Sequence, residues 1–202
     1  APNTIMEFAD LIQKIELPKG VLNFVCGAGR TVGNALSKSP ITGIISLTGS
    51  VGAGQKVITA AAENITKVSL ELGGKAPAIV CADANLDLAI NSVVSSKVIF
   101  SGQVCNCAER VYVEDSIYDE FVEKLTKKMS EVTIEDALTG TNADMSSLVS
   151  QDQLDKITEM VEFAKKEGAE VLLGGKRPER FDKGYFYEPT VLKNVTPGMP
   201  AF

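Results

Sequence analysis

The sequence predicts an α/β fold with parallel sheets, arranged as two successive units. Short apolar runs alternate with segments in which apolar residues recur at helical spacing, and this alternation continues along most of the chain. Gly73-Gly74 interrupts the series and divides it into residues 1–72 and 73–202. Because strands separated by helices need crossover connections, neighbouring strands should run parallel. The 45% apolar content of the 202 residues is enough to bury a core.

The first unit is predicted to begin with a helix and then to alternate strands and helices. Thr4 and Glu7 have the spacing of a capping box, and apolar residues then recur at helical intervals until Leu17-Pro18. The elements expected next are a strand over 21–25, a helix over 29–36, a strand over 41–47, a helix after Thr48-Gly49-Ser50 and a strand over 67–72.

The second unit is predicted to continue the alternation. The expected elements are a strand over 76–81, a helix that begins near Asp83 or Asn85, a strand over 110–114, a helix capped by Ser116, a loop over 139–147, a helix over 154–164, a strand over 170–173 and an extended segment over 184–192. Ser101-Gly102-Gln103 breaks the pattern and places Cys105 on a loop or at the end of an element.

The composition excludes several classes of function. Twenty basic and 26 acidic residues give a net charge of −6, so we expect no binding to nucleic acid or to an anionic membrane surface. The chain contains no histidine, which excludes Ser-His-Asp and Cys-His nucleophiles and every zinc site that needs histidine. Its chemistry must therefore use carboxylates, cysteine, lysine, tyrosine or a cofactor.

The cysteines indicate the compartment of the protein, and the ends of the sequence indicate whether it is whole. The four cysteines form no CxxC pair, and no apolar run suits a signal peptide or a bilayer span, so we expect a reduced, cytoplasmic protein. Cys105 and Cys107 could ligate zinc, but a structural site needs about four ligands and we expect no metal. No Met opens the sequence and no complete element closes it, which predicts that both ends are cut.

Three positions in the first unit suggest chemistry, each with a structural alternative. The helix that follows Ser50 would present backbone N–H groups to a phosphate, and a plain N-cap explains the same residues equally well. Gly27-x-Gly29-x-x-x-Gly33 is one residue longer than the dinucleotide fingerprint, so turn glycines are the simpler interpretation. Glu71 ends an apolar strand, where poor solvation would give it the raised pKa of a general base; otherwise it is an ordinary exposed glutamate.

Cys105 is the candidate nucleophile of the second unit. Its loop position suits a thiolate that attacks a carbonyl, although a single cysteine is more often a small core residue. Cys26 and Cys81 lie in apolar runs and are expected in the core. Lys75 is interpreted as a solvated charge beside the double glycine.

These segments together resemble the aldehyde dehydrogenase superfamily, and they occur in the family's order. Residues 18–23 with Gly27 and Gly29 resemble its PPGVxNxVxGxG segment, and residues 47–50 with Gly54 resemble FTGSxxxG. Residues 71–75 match ELGGK, and residues 102–105 match GQxC. The resemblance covers essentially the whole chain but corresponds to less than half of a family member.

The resemblance implies the two domains and a nicotinamide cofactor, NAD or NADP. Residues 1–72 would be the C-terminal part of a Rossmann-like NAD(P)-binding domain with a parallel sheet, and residues 73–202 the N-terminal part of an α/β catalytic domain. The parent protein would be a homo-oligomer, a dimer or a tetramer. The position that decides between NAD and NADP belongs to a family segment that this sequence does not contain.

The resemblance also assigns roles to individual residues. Cys105 would attack the aldehyde and supply one oxyanion-hole N–H, and Glu71 would activate water to release the thioester. The cofactor-binding residues would be Gly49, Ser50 and Gly54 near the pyrophosphate and Leu72 against the nicotinamide. Leu47 in place of the usual Phe, and Val51-Gly52-Ala53 in place of Thr-Glu-Val, are departures on the phosphate side.

The substrate implied by residues 105–113 is a short hydroxyaldehyde, because this run looks most like the branch that acts on lactaldehyde and glycolaldehyde. Asn106 would be a hydrogen-bond partner of that substrate. Glyceraldehyde and succinate semialdehyde stay open as substrates. Two other classes also stay open: a non-catalytic fragment with an incomplete cofactor site, and a thiol hydrolase that needs no cofactor.

Overall fold

The computed structural model describes residues 2–139 and 142–202. The chain forms two compact units, Ala1–Leu72 and Gly73–Phe202. The α-helices of the described residues are α1 Pro2–Ile12, α2 Asn34–Ser37, α3 Val51–Ala61, α4 Leu86–Val98, α5 Tyr118–Ser130 and α6 Gln151–Lys166. The strands are β1 Ile44–Gly49, β2 Lys67–Leu72, β3 Pro77–Val80, β4 Arg110–Val113, β5 Glu170–Leu173 and β6 Val191–Lys193. The assignment of the units to a cofactor domain and a catalytic domain stays a prediction.

The first unit contains a parallel pair of strands joined by a helix. β1 and β2 pair from Ile44 opposite Lys67 to Gly49 opposite Leu72, and α3 makes the connection between them. The predicted strand over 67–72 is confirmed in full, and β1 ends two residues later than predicted. The α/β fold with parallel sheets is therefore confirmed here.

The strand predicted over 21–25 is wrong. These residues form bends and irregular backbone, and no described strand pairs with them. A strand needs a neighbour for its N–H and C=O groups, so an apolar run alone cannot make one. The helix predicted over 29–36 is present as a π-helical turn, Gly29–Gly33, followed by α2.

The second unit is built around β3 and β4, which pair in parallel from Pro77 opposite Arg110 to Val80 opposite Val113. α4 and α5 pack on one face of this pair and form its core with it. The buried residues of this core are Val80, Ile90, Val93, Val94, Phe121, Leu125 and Met129.

β5 and β6 pair antiparallel, with an irregularity between Val171 and Leu173, and so depart from the parallel arrangement expected throughout. The segment between them contains no helix, so the chain can return without a crossover. The segment predicted to be extended over 184–192 forms a strand only from Val191 onward. Two positions of the loop predicted over 139–147, positions 140 and 141, lie outside the described residues.

The helix starts show which local signals were sufficient. Asn85 caps α4 by accepting a hydrogen bond from Leu88 N at 3.0 Å, as one of the two predicted starts requires. The cap predicted at Ser116 is wrong: this residue lies inside a 3₁₀ turn, Asp115–Ile117, and α5 begins at Tyr118 without a side-chain cap.

Among the helices of residues 2–139 and 142–202, none is long and apolar enough to cross a membrane.

Candidate active site

The carboxyl ends of β1 and β2 bring four of the predicted site residues together in the first unit. The register places Thr48 opposite Glu71 and Gly49 opposite Leu72. Because the two strands are parallel, Ser50 leaves the same edge of the sheet at which Glu71 and Leu72 lie. In open α/β sheets this edge is where ligands bind.

Ser50 is the N-cap of α3. Its backbone is extended, and its Oγ accepts a hydrogen bond from Ala53 N at 3.2 Å. The first intrahelical bond runs from Gly54 N to Ser50 O at 2.9 Å. The N–H groups of Val51 and Gly52 point out of the helix start without an intrahelical acceptor, and both residues are exposed. The structure thus makes Ser50 a real cap and leaves two donors for an anion.

Gly54 is buried under β2. A Cβ built on this residue would lie 2.9 Å from Leu72 Cδ1 and 3.5 Å from Leu70 Cδ1. The glycine therefore lets α3 approach β2 closely, a packing reason that the sequence interpretation did not include. Its predicted contact with a cofactor stays a prediction.

Glu71 is exposed in this chain. The poor solvation expected from its apolar strand is therefore absent around its side chain in the described structure. The strand alternates faces, so apolar neighbours in sequence do not by themselves surround a residue.

The loop that carries Cys105 begins with three residues of positive φ. Phe100, Ser101 and Gly102 have φ of 46°, 57° and 76°, and the first two are non-glycine residues in the left-handed region. Such residues are uncommon and cost free energy, and they cluster at functional sites. Phe100 is also 76% exposed, so burial of its ring does not offset the cost.

Cys105 and Asn106 lie in the turn that follows, and both side chains are exposed. Cys107 N donates to Val104 O at 3.2 Å to close this turn. Among residues 2–139 and 142–202, no hydrogen-bond acceptor faces the Cys105 N–H. An exposed thiol beside a free backbone donor suits attack on a carbonyl.

The other cysteines differ from the sequence prediction. Cys26 and Cys81 were expected in the core, and both are exposed. Cys107 is instead the buried one, at 1% exposure. The described residues contain no group of three or more His, Cys, Asp or Glu side chains that could hold a metal ion.

Glu109 carries the main electrostatic feature of this loop. Lys97 Nζ lies 3.2 Å from its Oε1 and Lys75 Nζ lies 3.3 Å from its Oε2. Burial alone would raise the pKa of the Glu109 carboxyl, but the two ammonium groups outweigh it and hold the pKa below its ordinary value. Lys75 also donates to Ala201 O at 3.2 Å, so it is not the free solvated charge that was predicted.

Sequence reasoning missed the residues that hold the Cys105 loop in place. Ser96, Ser101, Ser146 and Glu109 all contact the loop or form part of it, yet no motif assigns any of them a role at the site. The only available signal was Glu109, a charged residue just before an apolar strand. Glu71 is the last residue but one of the first unit, and Cys105 belongs to the second.

Comparison with known proteins identifies a family that this chain matches. A family model described as "Aldehyde dehydrogenase family" matches residues 1–202. Lactaldehyde dehydrogenase of Escherichia coli (strain K12) is 49% identical over 96% of this chain and 40% of its own length. A crystal structure of lactaldehyde dehydrogenase from Escherichia coli superposes with a TM-score of 0.95 at 48% identity, over 99% of this chain and 42% of that one.

Two further relatives differ in cofactor. D-glyceraldehyde dehydrogenase (NADP(+)) of Picrophilus torridus is 38% identical over 92% of this chain and 38% of its own length. A structure of betaine aldehyde dehydrogenase from Staphylococcus aureus in complex with NAD+ has a TM-score of 0.92 at 34% identity, over 98% of this chain and 40% of that one. The chain thus spans about two fifths of the length of the relatives it matches.

Proposed function

The chain belongs to the aldehyde dehydrogenase family, and on that premise we propose that the protein that carries it oxidises a short hydroxyaldehyde to the carboxylate with NAD or NADP. The observation that carries this proposal is the 49% identity with a lactaldehyde dehydrogenase across almost the whole chain. The exposed Cys105, on a turn with a free backbone donor, supplies the chemical group that such a reaction needs.

The start of α3 fits the phosphates of a dinucleotide. The free N–H groups of Val51 and Gly52 and the positive end of the helix dipole favour a negative charge there. Gly49 and Ser50, which precede the helix, are exposed, so a ligand can approach the backbone. A nicotinamide cofactor held at this edge supplies the hydride acceptor for the oxidation.

Cys105 forms the covalent bond to the substrate in the proposed reaction. Its thiolate sulfur attacks the aldehyde carbon, and the carbonyl oxygen becomes an oxyanion that the Cys105 N–H stabilises. The hydride on that carbon would pass to the nicotinamide, and a thioester would remain on the sulfur. Asn106, exposed beside the nucleophile, would donate a hydrogen bond to the hydroxyl of the substrate.

Glu71 is the proposed general base for release of the product. Its carboxylate takes a proton from water, the water oxygen bonds to the thioester carbon, and the carbon–sulfur bond breaks to free the carboxylic acid and the Cys105 thiolate. The acid then loses its proton to solvent and leaves as the carboxylate. Leu72, the next residue, would contact the nicotinamide with its backbone.

The test is reduction of NAD and NADP by the purified protein with lactaldehyde, glycolaldehyde and glyceraldehyde as substrates. We expect turnover with at least one of them, and no turnover in Cys105→Ala. Cys81→Ala is the matched control, because Cys81 is another exposed cysteine of the same unit. Oxidation that persists in Cys105→Ala would overturn the mechanism.

The substrate and the second step need separate readouts. A preference for glyceraldehyde would favour the activity named for the 38%-identical relative instead. In Glu71→Gln, a single burst of cofactor reduction followed by slow turnover is expected, because the thioester forms but is not hydrolysed. Unchanged steady-state turnover in Glu71→Gln would remove that residue from the mechanism.

A further inference from the structure

Side chains hold the loop around Cys105 from both of its ends. We infer that Ser96 and Gln103 are positioning residues, which fix the Cys105 loop in one conformation through hydrogen bonds to its backbone and to the segment 146–149. The inference rests on the proposed function for its catalytic meaning, while the loop conformation itself can be tested without turnover.

The upstream anchor is formed by Gln103 and Ser101. The Gln103 amide donates from Nε2 to Phe100 O at 3.0 Å, and its Oε1 accepts from Val149 N at 2.9 Å. Ser101 Oγ donates to Ser146 O at 2.8 Å and accepts from Ser146 N at 3.1 Å. These bonds hold the left-handed turn over 100–102 against a segment more than forty residues away in sequence.

The downstream anchor is Ser96 on α4. Its Oγ accepts from Ala108 N at 3.0 Å and donates to Asn106 O at 3.5 Å, so one hydroxyl holds the loop backbone at two points. Cys107, between those points, is buried at 1% exposure. Beyond it, Glu109 N donates to Ala76 O at 3.0 Å and joins the loop to the start of β3.

Cys105 is thus exposed on a short span between two anchors. Residues that hold a nucleophile in place contribute to rate because a small displacement from the productive geometry is costly. Ser96 and Gln103 reach this geometry through the backbone, so they act on Cys105 and not on the substrate.

The experiment compares alkylation of each cysteine in the 202-residue chain, with iodoacetamide as the probe and peptide mass spectrometry as the readout. In the unmodified sequence we expect Cys105 and Cys81 to react and Cys107 to be protected. In Ser96→Ala and in Gln103→Ala, we expect Cys107 to react about tenfold faster, because a backbone N–H loses its acceptor and the closed loop is disfavoured.

Three controls separate local from general effects. Cys81 should react at the same rate in every variant, since it lies in the same unit but outside the loop. Ser96→Thr keeps the hydroxyl and should restore the protection of Cys107. Ser95→Ala, at an exposed neighbouring serine, should change nothing. A parallel rise at Cys81, or unchanged protection of Cys107 in both alanine variants, would overturn the inference.

The catalytic part of the inference is measured on the active protein. Ser96→Ala should lower kcat about tenfold with little change in the KM for the aldehyde, and Ser96→Thr should recover it. An unchanged kcat would overturn the positioning role. If the unsubstituted protein shows no turnover, the proposed function fails, and the alkylation rates still decide the conformation of the loop.

Discussion

Leu72, the last residue of β2, covers Gly54 in α3. A Cβ on Gly54 would lie 2.9 Å from Leu72 Cδ1 and 3.0 Å from Leu72 Cδ2, closer than ordinary side-chain contact allows. The pair sets how closely the helix packs on the strand. It therefore also sets where the start of α3 lies beside Glu71, which precedes Leu72.

We predict that Gly54→Ala destabilises the first unit by about 1–3 kcal/mol, because the added methyl group overpacks the contact with Leu72. The measurement is the free energy of unfolding in urea. In a Leu72→Ala background the same substitution should cost much less, and an undiminished cost there would contradict the explanation.

Gly52→Ala is the matched control for Gly54→Ala in the same helix. A Cβ at Gly52 would meet no atom within 4 Å, and the residue is exposed. Alanine is the better helix former by about 0.5–1 kcal/mol, so Gly52→Ala should leave stability unchanged or raise it.

Substitution of Ser50 separates its capping role from its proposed role at the cofactor. Ser50→Ala should cost about 1 kcal/mol of stability, because Ala53 N loses its acceptor. Ser50→Asp should keep the cap, since aspartate caps as well as serine, and weaken dinucleotide binding about tenfold or more through repulsion of the phosphates. A titration of nicotinamide fluorescence measures the binding. Unchanged affinity in Ser50→Asp would leave Ser50 as a cap alone.

A residue that tolerates the left-handed region should lower the conformational strain of the backbone at position 100. Phe100→Asn is expected to raise stability by about 1 kcal/mol, because its φ of 46° is unfavourable for a phenylalanine and its ring is largely exposed. Leu138→Asn is the control, an exposed apolar residue without positive φ, and should change stability by less than about 0.5 kcal/mol. Equal effects of the two substitutions on thermal unfolding would argue against strain at Phe100.

Acid should weaken the contacts around Glu109. Its pKa is lower in the folded chain than its ordinary value of 4.5, because Lys97 and Lys75 outweigh the effect of burial. The stability that Glu109 contributes is therefore present above the ordinary value and is lost as the pH falls through the lowered one.

The variant Glu109→Gln tests this directly. The free energy of unfolding should fall less steeply with acid in Glu109→Gln than in the unmodified chain. Glu159→Gln is the control, at an exposed glutamate of α6 with no ion pair among the described residues. If both variants show the same acid slope, the ion pairs of Glu109 contribute nothing measurable.

Local patterns were sufficient where an element depends on its own residues. The strand over 67–72 follows from an alternating apolar run, and the start of α4 follows from Asn85, whose side chain caps the helix that it precedes. The motifs around Glu71 and Cys105 identified the family, and the match over the whole chain confirms it. Each of these features depends on a few consecutive residues, so the sequence alone is enough to predict it.

Contacts between distant residues could not be predicted in this way. The strand expected over 21–25 lacks a described partner, and Glu71 is exposed. Cys26 and Cys81 were expected in the core and are exposed, whereas Cys107 is buried. The hydrogen bonds from Ala108 N to Ser96 Oγ and from Val149 N to Gln103 Oε1 join residues that no single motif contains.

The sequence by itself determined the family, the α/β alternation and the identity of the candidate nucleophile. Only the tertiary structure decided that Gly54 is a packing residue, that the turn over 100–102 is left-handed, and that Cys105 is exposed between two anchors. The physical reason is that propensity and periodicity act along the chain, whereas burial, close packing and hydrogen bonds between segments depend on which residues meet in space.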